Sequence, residues 1–300
     1  MIKNFDELLE IAVTKGPKKV AVACAQDDDV LKAIKEAHTK GIIKGILVGD
    51  VPKIEAIAKE ISLELTDFEM IHIEDMAAAS LKAVELVSTG KADLVMKGLV
   101  DTAIILKAVL NKEVGLRTGN VLSHVAVFDI PTYHKILTVT DAAMNIAPDL
   151  NAKKQIIENA LVVTKALQIE TPNVGIIAAK EKVNPAMPAT VDAGELVKMN
   201  QEGTLVGCKV GGPFALDNAV SKEAAKIKGI KDPMAGDVDI IVGPTIEANN
   251  ILYKALNFLA NAKSAGIIVG AKAPIVLTSR ADSDESKLNS IALGVLMSAI

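Results

Sequence analysis

Near the carboxyl end of the sequence, a β-like run finishes at Ser279 and Arg280 and acidic residues follow at once. Asp282 and Glu285 stand three positions apart, which is the spacing of a helix capping box, and an apolar helix face follows them. A capping box accounts for the two acids. It leaves Ser279 and Arg280 unexplained at the strand exit, so this stretch is the first candidate for chemistry.

Two other stretches could bind an anion. In "MKGLVDTAIILK", Lys97 and Gly98 end a strand and Lys107 lies on the next helix, so a glycine turn and a helix N-terminus could together receive a phosphate. An ordinary turn with solvated lysines explains the same residues and is somewhat favoured, since neither a Walker A loop nor a GxGxxG fingerprint is present. Arg117, between two glycines, suits a phosphate contact or a plain surface turn equally well.

A third group of candidates follows two later strands. Gly212 and Pro213 in "KVGGPFALDNAV", and Gly243 in "VGPTIEANN", predict two tight strand exits that face one cleft. Asn250 is a polar group on the segment after the second exit. Each of these residues taken alone is more simply explained as structural, by turn formation or helix capping.

The elements that position these residues follow an alternating β and α pattern along nearly the whole chain. The chain has 300 residues, of which 50% are hydrophobic and only 2% aromatic, which favours parallel sheets of Ala, Val, Ile and Leu covered by helices. We therefore expect an α/β fold with mainly parallel, doubly wound sheets and helices on both faces. The length predicts two domains or one large α/β unit.

Composition argues against several classes of protein. A net charge of −4 without a basic run makes nucleic acid an unexpected partner, and no apolar stretch is long enough for a membrane span or has the form of a signal peptide. Cys24 and Cys208 stand in strand-like runs without metal or redox spacing, so we expect buried free thiols in a cytoplasmic protein.

Taken together, these stretches resemble the phosphate acetyl/butyryl transferase family. The resemblance is carried by "KKVAVACAQDDDVL", "KAVELVSTGKADLVMKGLVDTA", "LNKEVGLRTGNVLSHVAVF", "GGPFALDNAVSKEAA" and "APIVLTSRADSDESKLNSIAL", in family order. It implies reversible transfer of a short acyl group, butyryl by the closeness of the match, between coenzyme A and phosphate, without a bound cofactor or metal. It also implies a fold like that of isocitrate and isopropylmalate dehydrogenases, with the active site in an interdomain cleft, and a homodimer or higher homo-oligomer.

The resemblance assigns roles and domains to positions of this sequence. Ser279 becomes an oxyanion or phosphate donor and Arg280 a phosphate clamp, Arg117 matches a further family arginine, and Lys107 replaces another. The family's basic aspartate falls here on Ser286, so Glu285 is our first choice of base and Asp282 the second. We expect one domain of residues 1–133 plus 282–300 and another of 134–281.

Three alternatives stay open at this point. The acyl preference could be acetyl or branched-chain. The chain could be a decarboxylating dehydrogenase of the same architecture, for which Asp237 and Asp239 would be the metal ligands to examine. It could also be a ligand-sensing protein without catalysis.

Overall fold

A computed structural model describes residues 1–278 and 282–300, and the chain divides into two compact units. The first unit comprises Phe5–Asn120 and Ala265–Ile300, and the second comprises Met1–Asn4 and Val121–Ser264. These units differ in their boundaries from the domains expected from the sequence, and that expectation stays a prediction.

The strands and helices alternate through most of the chain. The strands are β1 Lys18–Ala23, β2 Ile43–Gly49, β3 Glu69–His72, β4 Leu94–Lys97, β5 Ser123–Asp129, β6 Leu137–Thr140, β7 Asn173–Ile177, β8 Lys209–Phe214, β9 Ile240–Val242, β10 Lys263–Val269 and β11 Ile275–Val276. The helices are α1 Phe5–Lys15, α2 Asp28–Thr39, α3 Val51–Glu60, α4 Met76–Ser88, α5 Thr102–Val109, α6 Leu150–Ala166, α7 Pro188–Gln201, α8 Leu216–Val220, α9 Lys222–Ile227, α10 Ile246–Phe258 and α11 Asp284–Met297.

In the first unit the strand order is β3-β2-β1-β4-β11-β10. The strands β1, β2, β3, β4 and β11 run parallel, and β10 pairs antiparallel with β11. In the second unit the order is β5-β6-β9-β7-β8, with β5 antiparallel to β6 and the other pairs parallel. The expected α/β class with mainly parallel pairing is confirmed, and each unit adds one antiparallel pair.

The unit boundaries fall at 120/121 and 264/265, whereas the sequence placed them at 133/134 and 281/282. The first difference arises because β5 pairs with β6, and because Phe128 and Ile130 are buried in the second unit's core, with Tyr133 packed against it. The Tyr133 hydroxyl also donates to the Val238 carbonyl at 2.7 Å. The second difference arises because β11 pairs with β4, inside the first unit.

Aspartates define where many of the helices begin. Asp27, Asp50, Asp75 and Asp149 each accept a hydrogen bond from a backbone N–H in the first turn of the helix that follows. Such caps satisfy donors that the helix itself leaves free, and each contributes about 0.5–2 kcal/mol. They place the starts of α2, α3 and α4 within a few residues of the preceding strand, whereas α6 begins after the longer loop that follows β6.

Candidate active site

Three parallel strands of the first unit end at the same edge of the sheet. The register sets Ala23 of β1 beside Lys97 of β4, and Met96 of β4 beside Val276 of β11. The chain segments that follow these strands therefore leave the sheet side by side. In open α/β sheets ligands bind at this carboxyl edge, because helix N-termini and strand exits converge there.

Gly98 brings two of these segments into direct contact. Its N–H donates to the Ala23 carbonyl at 2.8 Å, and the next residue, Leu99, donates to the Cys24 carbonyl at 2.8 Å. A Cβ on Gly98 would lie 2.3 Å from the Cys24 carbonyl oxygen, closer than any side chain can approach. Glycine is thus required here for close packing of two backbones.

Lys97 is buried at this edge, and its Nζ donates to the Gly98 carbonyl at 3.3 Å. Thr278, two residues past β11, and Asp282 are buried as well. Ser279 and Arg280, the predicted anion donor and clamp, lie with Ala281 outside the described residues. Their neighbours on both sides, Thr278 and Asp282, flank the segment that follows β11.

The cap of α11 differs from the predicted capping box by one residue. Ser283 is the N-cap, and its Oγ accepts from the N–H of Ser286 at 3.2 Å. Asp282 is instead a buried residue before the cap, whose carbonyl accepts from the Lys287 ammonium. Serine and aspartate are about equally good at the N-cap, so the sequence alone does not decide between Asp282 and Ser283. Glu285 lies exposed in the first turn of the helix.

Arg117 and Lys107 are both exposed residues of the first unit. Hydrogen bonds hold the loop on both sides of Arg117. The Leu116 carbonyl accepts from the Lys272 N–H at 2.9 Å, and the Thr118 hydroxyl donates to the Gly270 carbonyl. Residues 270–272 precede β11, so this loop is anchored on the side where β11 begins. Lys107 is exposed in the last turn of α5, about 8 Å along the helix axis from its first residue.

Two candidates of the second unit lie inside a strand. The predicted strand exit at Gly212 and Pro213 is wrong, because β8 continues to Phe214, which pairs with Ile177 of β7 across an irregularity in register. Gly212 has φ +137°, and a Cβ there would lie 2.7 Å from the Ile176 carbonyl oxygen, so the irregular pairing needs glycine. The other predicted exit, at Gly243 after β9, is confirmed.

Asparagines of α10 hold the loop that follows β6. The Asn250 amide donates to the Ala142 carbonyl at 3.0 Å, and the buried Asn249 amide donates to the carbonyls of Thr140 and Asp141. Asp141, which sequence reasoning missed, is buried at this exit and accepts hydrogen bonds from the N–H groups of the residues at 143, 144 and 145. The signal for it was an aspartate directly after a β-branched strand, with Asn145 four positions on.

Asp237 and Asp239, the metal-ligand candidates of the dehydrogenase alternative, are engaged with cations of the protein. Lys135 Nζ lies 2.8 Å from Asp239 Oδ1 and 3.3 Å from Asp237 Oδ1, and His134 contacts Asp237 at 2.6 Å. Burial opposes ionisation of Asp237, but His134 and Lys135 outweigh it and lower its pKa. Within residues 1–278 and 282–300, no group of three or more His, Cys, Asp or Glu side chains has the arrangement of a metal site.

Comparison with known proteins fits these observations. A family model described as "Phosphate acetyl/butaryl transferase" matches residues 4–80 and 72–295. A phosphate butyryltransferase of Clostridium beijerinckii is 52% identical over 100% of this chain and 99% of its own length. A phosphate acetyltransferase of Thermotoga maritima is 47% identical over 97% of this chain and 99% of its own length.

A solved structure extends the likeness to three dimensions. The crystal structure of a branched-chain phosphotransacylase from Enterococcus faecalis superimposes with a TM-score of 0.83 at 36% identity, covering 94% of this chain and 99% of that one. The chain is therefore an α/β acyltransferase. It belongs to the phosphate acetyl/butyryl transferase family.

Proposed function

We propose that the protein catalyses the reversible transfer of a short acyl group between coenzyme A and inorganic phosphate. The observation that carries the proposal is the full-length match to a phosphate butyryltransferase at 52% identity. The carboxyl edge of the first unit supports it, because Lys97 and Gly98 stand beside the strand that leads to Ser279 and Arg280. A fixed cation next to a close backbone turn suits a phosphate.

The reaction needs a base, an oxyanion donor and a phosphate clamp. In one direction the phosphate oxygen attacks the thioester carbonyl, the C–S bond breaks, and the departing thiolate takes a proton. In the other, a base removes that proton, the thiolate attacks the carbonyl carbon of the acyl phosphate, and the C–O bond breaks to release inorganic phosphate. We assign the base to Glu285 first and Asp282 second, the oxyanion donor to Ser279 and the clamp to Arg280. These groups are all side chains, so we propose no bound cofactor or metal.

Further contacts to the substrates are proposed on both units. Lys107 and Arg117 supply positive charge to the phosphates of coenzyme A, and Gly212, Pro213 and Asn250 shape the binding surface of the second unit. The resemblance places the active site in a cleft between two domains, as in isocitrate dehydrogenase, and that expectation stays a prediction.

Butyryl is the proposed acyl group, with acetyl and branched chains as alternatives. The names of the similar proteins include butyryl, acetyl and branched-chain types, so the family alone does not fix the chain length. One methylene in an apolar pocket changes discrimination by about 1–3 kcal/mol. The closer match to the butyryl-type relative supports butyryl.

An assay of thiol release tests the function directly. The protein is mixed with butyryl-coenzyme A, with and without inorganic phosphate, and free thiol is measured with a chromogenic disulfide. We expect phosphate-dependent release, fastest with butyryl among acetyl, butyryl and isobutyryl thioesters. Release that does not depend on phosphate with any of the three would overturn the proposal.

We also propose that the protein is a cytoplasmic homodimer or higher homo-oligomer. No helix of the described part of the chain is long and apolar enough to cross a membrane. Ile251 and Phe258 of α10 are 70% and 64% exposed, and Leu259, which follows the helix, is 86% exposed. A spacing of four, three and four residues places side chains along the seam, which is the line where two helices pack together. This spacing is found at Glu247, Ile251, Lys254 and Phe258. An antiparallel second copy would set Glu247 against Lys254, which favours self-association through this face.

Light scattering on a sizing column tests that assignment. The double variant Ile251→Glu with Phe258→Glu should lower the mass to that of a monomer, because it puts like charges into the seam. Ile227→Glu, at an equally exposed apolar residue on α9, is the matched control and should leave the mass unchanged. A monomeric wild type, or a double variant of unchanged mass, would contradict the proposed interface.

A further inference from the structure

A lysine is buried near the start of α11, and the helix stays buried from this residue onward. Lys287 is 3% exposed, and the ten residues after it are all buried. Taking an ammonium out of water costs several kcal/mol unless close partners replace the lost solvation. A lysine at this position therefore needs a reason beyond filling space.

Helix stability does not supply that reason. Lys287 is the fourth residue of α11, near the positive end of the helix dipole, where a cation is unfavourable. The nearest described carboxylate, Asp29 Oδ2, lies 3.9 Å from Nζ and its side chain is half exposed, so the ion pair is a weak one. A methionine of similar length would fill the same space without these costs.

The contacts of Lys287 point instead to the candidate active site. Its Nζ donates to the carbonyl oxygen of Asp282, the first described residue after Ser279, Arg280 and Ala281. Asp29, its other partner, lies in the first turn of α2, directly after the exit of β1. Lys287 thus joins the end of the β11–α11 connection to the helix that follows β1, and β4, which ends at Lys97, lies between β1 and β11 in the sheet.

We propose that Lys287 is a positioning residue of the acyl transfer site. Its ammonium fixes the orientation of the Asp282 peptide and holds it beside α2, which sets the position of the two candidate bases, Asp282 and Glu285. The inference rests on the proposed function. Small errors in the placement of reacting groups lower rates by about 10²-fold, so a residue of this kind matters for turnover without touching substrate.

The test compares Lys287→Met with a matched buried lysine. Lys153 of α6 is also buried, and it forms an ion pair with Asp192, which like Lys153 belongs to the second unit. Lys287→Met should lower kcat for butyryl-coenzyme A and phosphate by about tenfold or more, while its free energy of unfolding stays equal or rises. Lys153→Met should leave kcat unchanged. A purely structural role predicts the reverse for Lys287→Met: lower stability and unchanged kcat of the folded protein.

Asp29→Asn provides a second measurement that does not depend on the folding of a core variant. Asp29 is half exposed, so the variant should fold, and losing this anchor should lower kcat about two- to fivefold. If the wild type is active, an unchanged kcat in Asp29→Asn would overturn this inference but not the proposed function. A wild-type kcat in folded Lys287→Met would do the same. A wild type without phosphate-dependent activity would overturn the proposed function, and this inference with it.

Discussion

Lys135 Nζ lies 2.8 Å from Oδ1 of Asp239, and this buried carboxylate also accepts the backbone N–H of Asn173 at 2.7 Å. Asn173 begins β7 and Asp239 precedes β9, so this hydrogen bond joins two neighbouring strands of the second unit, and the ion pair joins Asp239 to the segment before β6, the other neighbour of β9. Asp237 and Asp239, which the dehydrogenase alternative would use as metal ligands, instead serve the fold.

Replacing Lys135 with Met should therefore destabilise the protein strongly. The change leaves Asp239 as a buried charge without its cation, which costs about 3–5 kcal/mol. Urea unfolding measures this loss. Lys32→Met, which removes an exposed lysine paired with Asp28, is the control and should change stability by less than about 0.5 kcal/mol. Equal effects of the two variants would contradict the assigned role of Lys135.

Gly98→Ala tests whether close backbone packing forms the candidate site. The added Cβ would meet the carbonyl oxygens of Cys24 and Ala23 at 2.3 and 2.7 Å, and backbone cannot give way as a flexible side chain can. We expect a stability loss of about 1–3 kcal/mol, with a marked fall in activity of the remaining folded protein. Gly90→Ala is the control for backbone strain without a clash, because Gly90 has φ +74° and an added Cβ would meet no atom within 4 Å. It should lower stability without affecting kcat.

Much of the fold was predictable because each strand and helix leaves a local pattern. The β-branched runs and aspartate caps gave the order of elements, as at Asp27 before α2. The strand β11 has only two residues and pairs antiparallel with β10, so a single apolar run concealed a hairpin. The cap of α11 was misplaced by one residue, since Asp282 and Ser283 are equally suitable in sequence.

The site was less predictable because burial and contact are properties of the folded chain. Nothing in "DESKLN" distinguishes Lys287 from a solvated lysine, yet it is buried against the Asp282 carbonyl. Gly212 looked like a turn residue, and its role inside β8 follows only from the approach of Ile176. The strand exit at Lys97 and Gly98 was predicted because a strand followed by a glycine is itself a pattern, and β4 does end at Lys97, whereas their role in binding phosphate stays a prediction.

The identity of the base can be resolved by substitution at α11. Glu285→Gln keeps the size of the side chain and removes its proton-accepting charge, so we expect kcat to fall by about 10²–10⁴-fold. Asp284→Asn, at the exposed neighbouring carboxylate, should have little effect. If Asp282→Asn shows the larger fall and Glu285→Gln does not, the second choice of base is correct.

The cysteines predict how stability depends on alkaline pH. Burial is the main cause that raises the pKa of the Cys208 thiol from 9.0 to about 11, and the charge of Glu158 is the smaller one. Burial also raises the pKa of Cys24. Between pH 9.0 and about 11 the unfolded chain loses the Cys208 proton while the folded chain keeps it, so the free energy of unfolding must fall as pH rises through this window.

Urea unfolding at pH 8 and pH 10.5 should show a larger loss for the wild type than for Cys208→Ala. Cys24 and the lysines are the same in both proteins, so the difference between the two losses isolates Cys208. Equal losses would mean that the Cys208 thiol is solvated, and it would then react with a disulfide reagent in the native protein at pH 8.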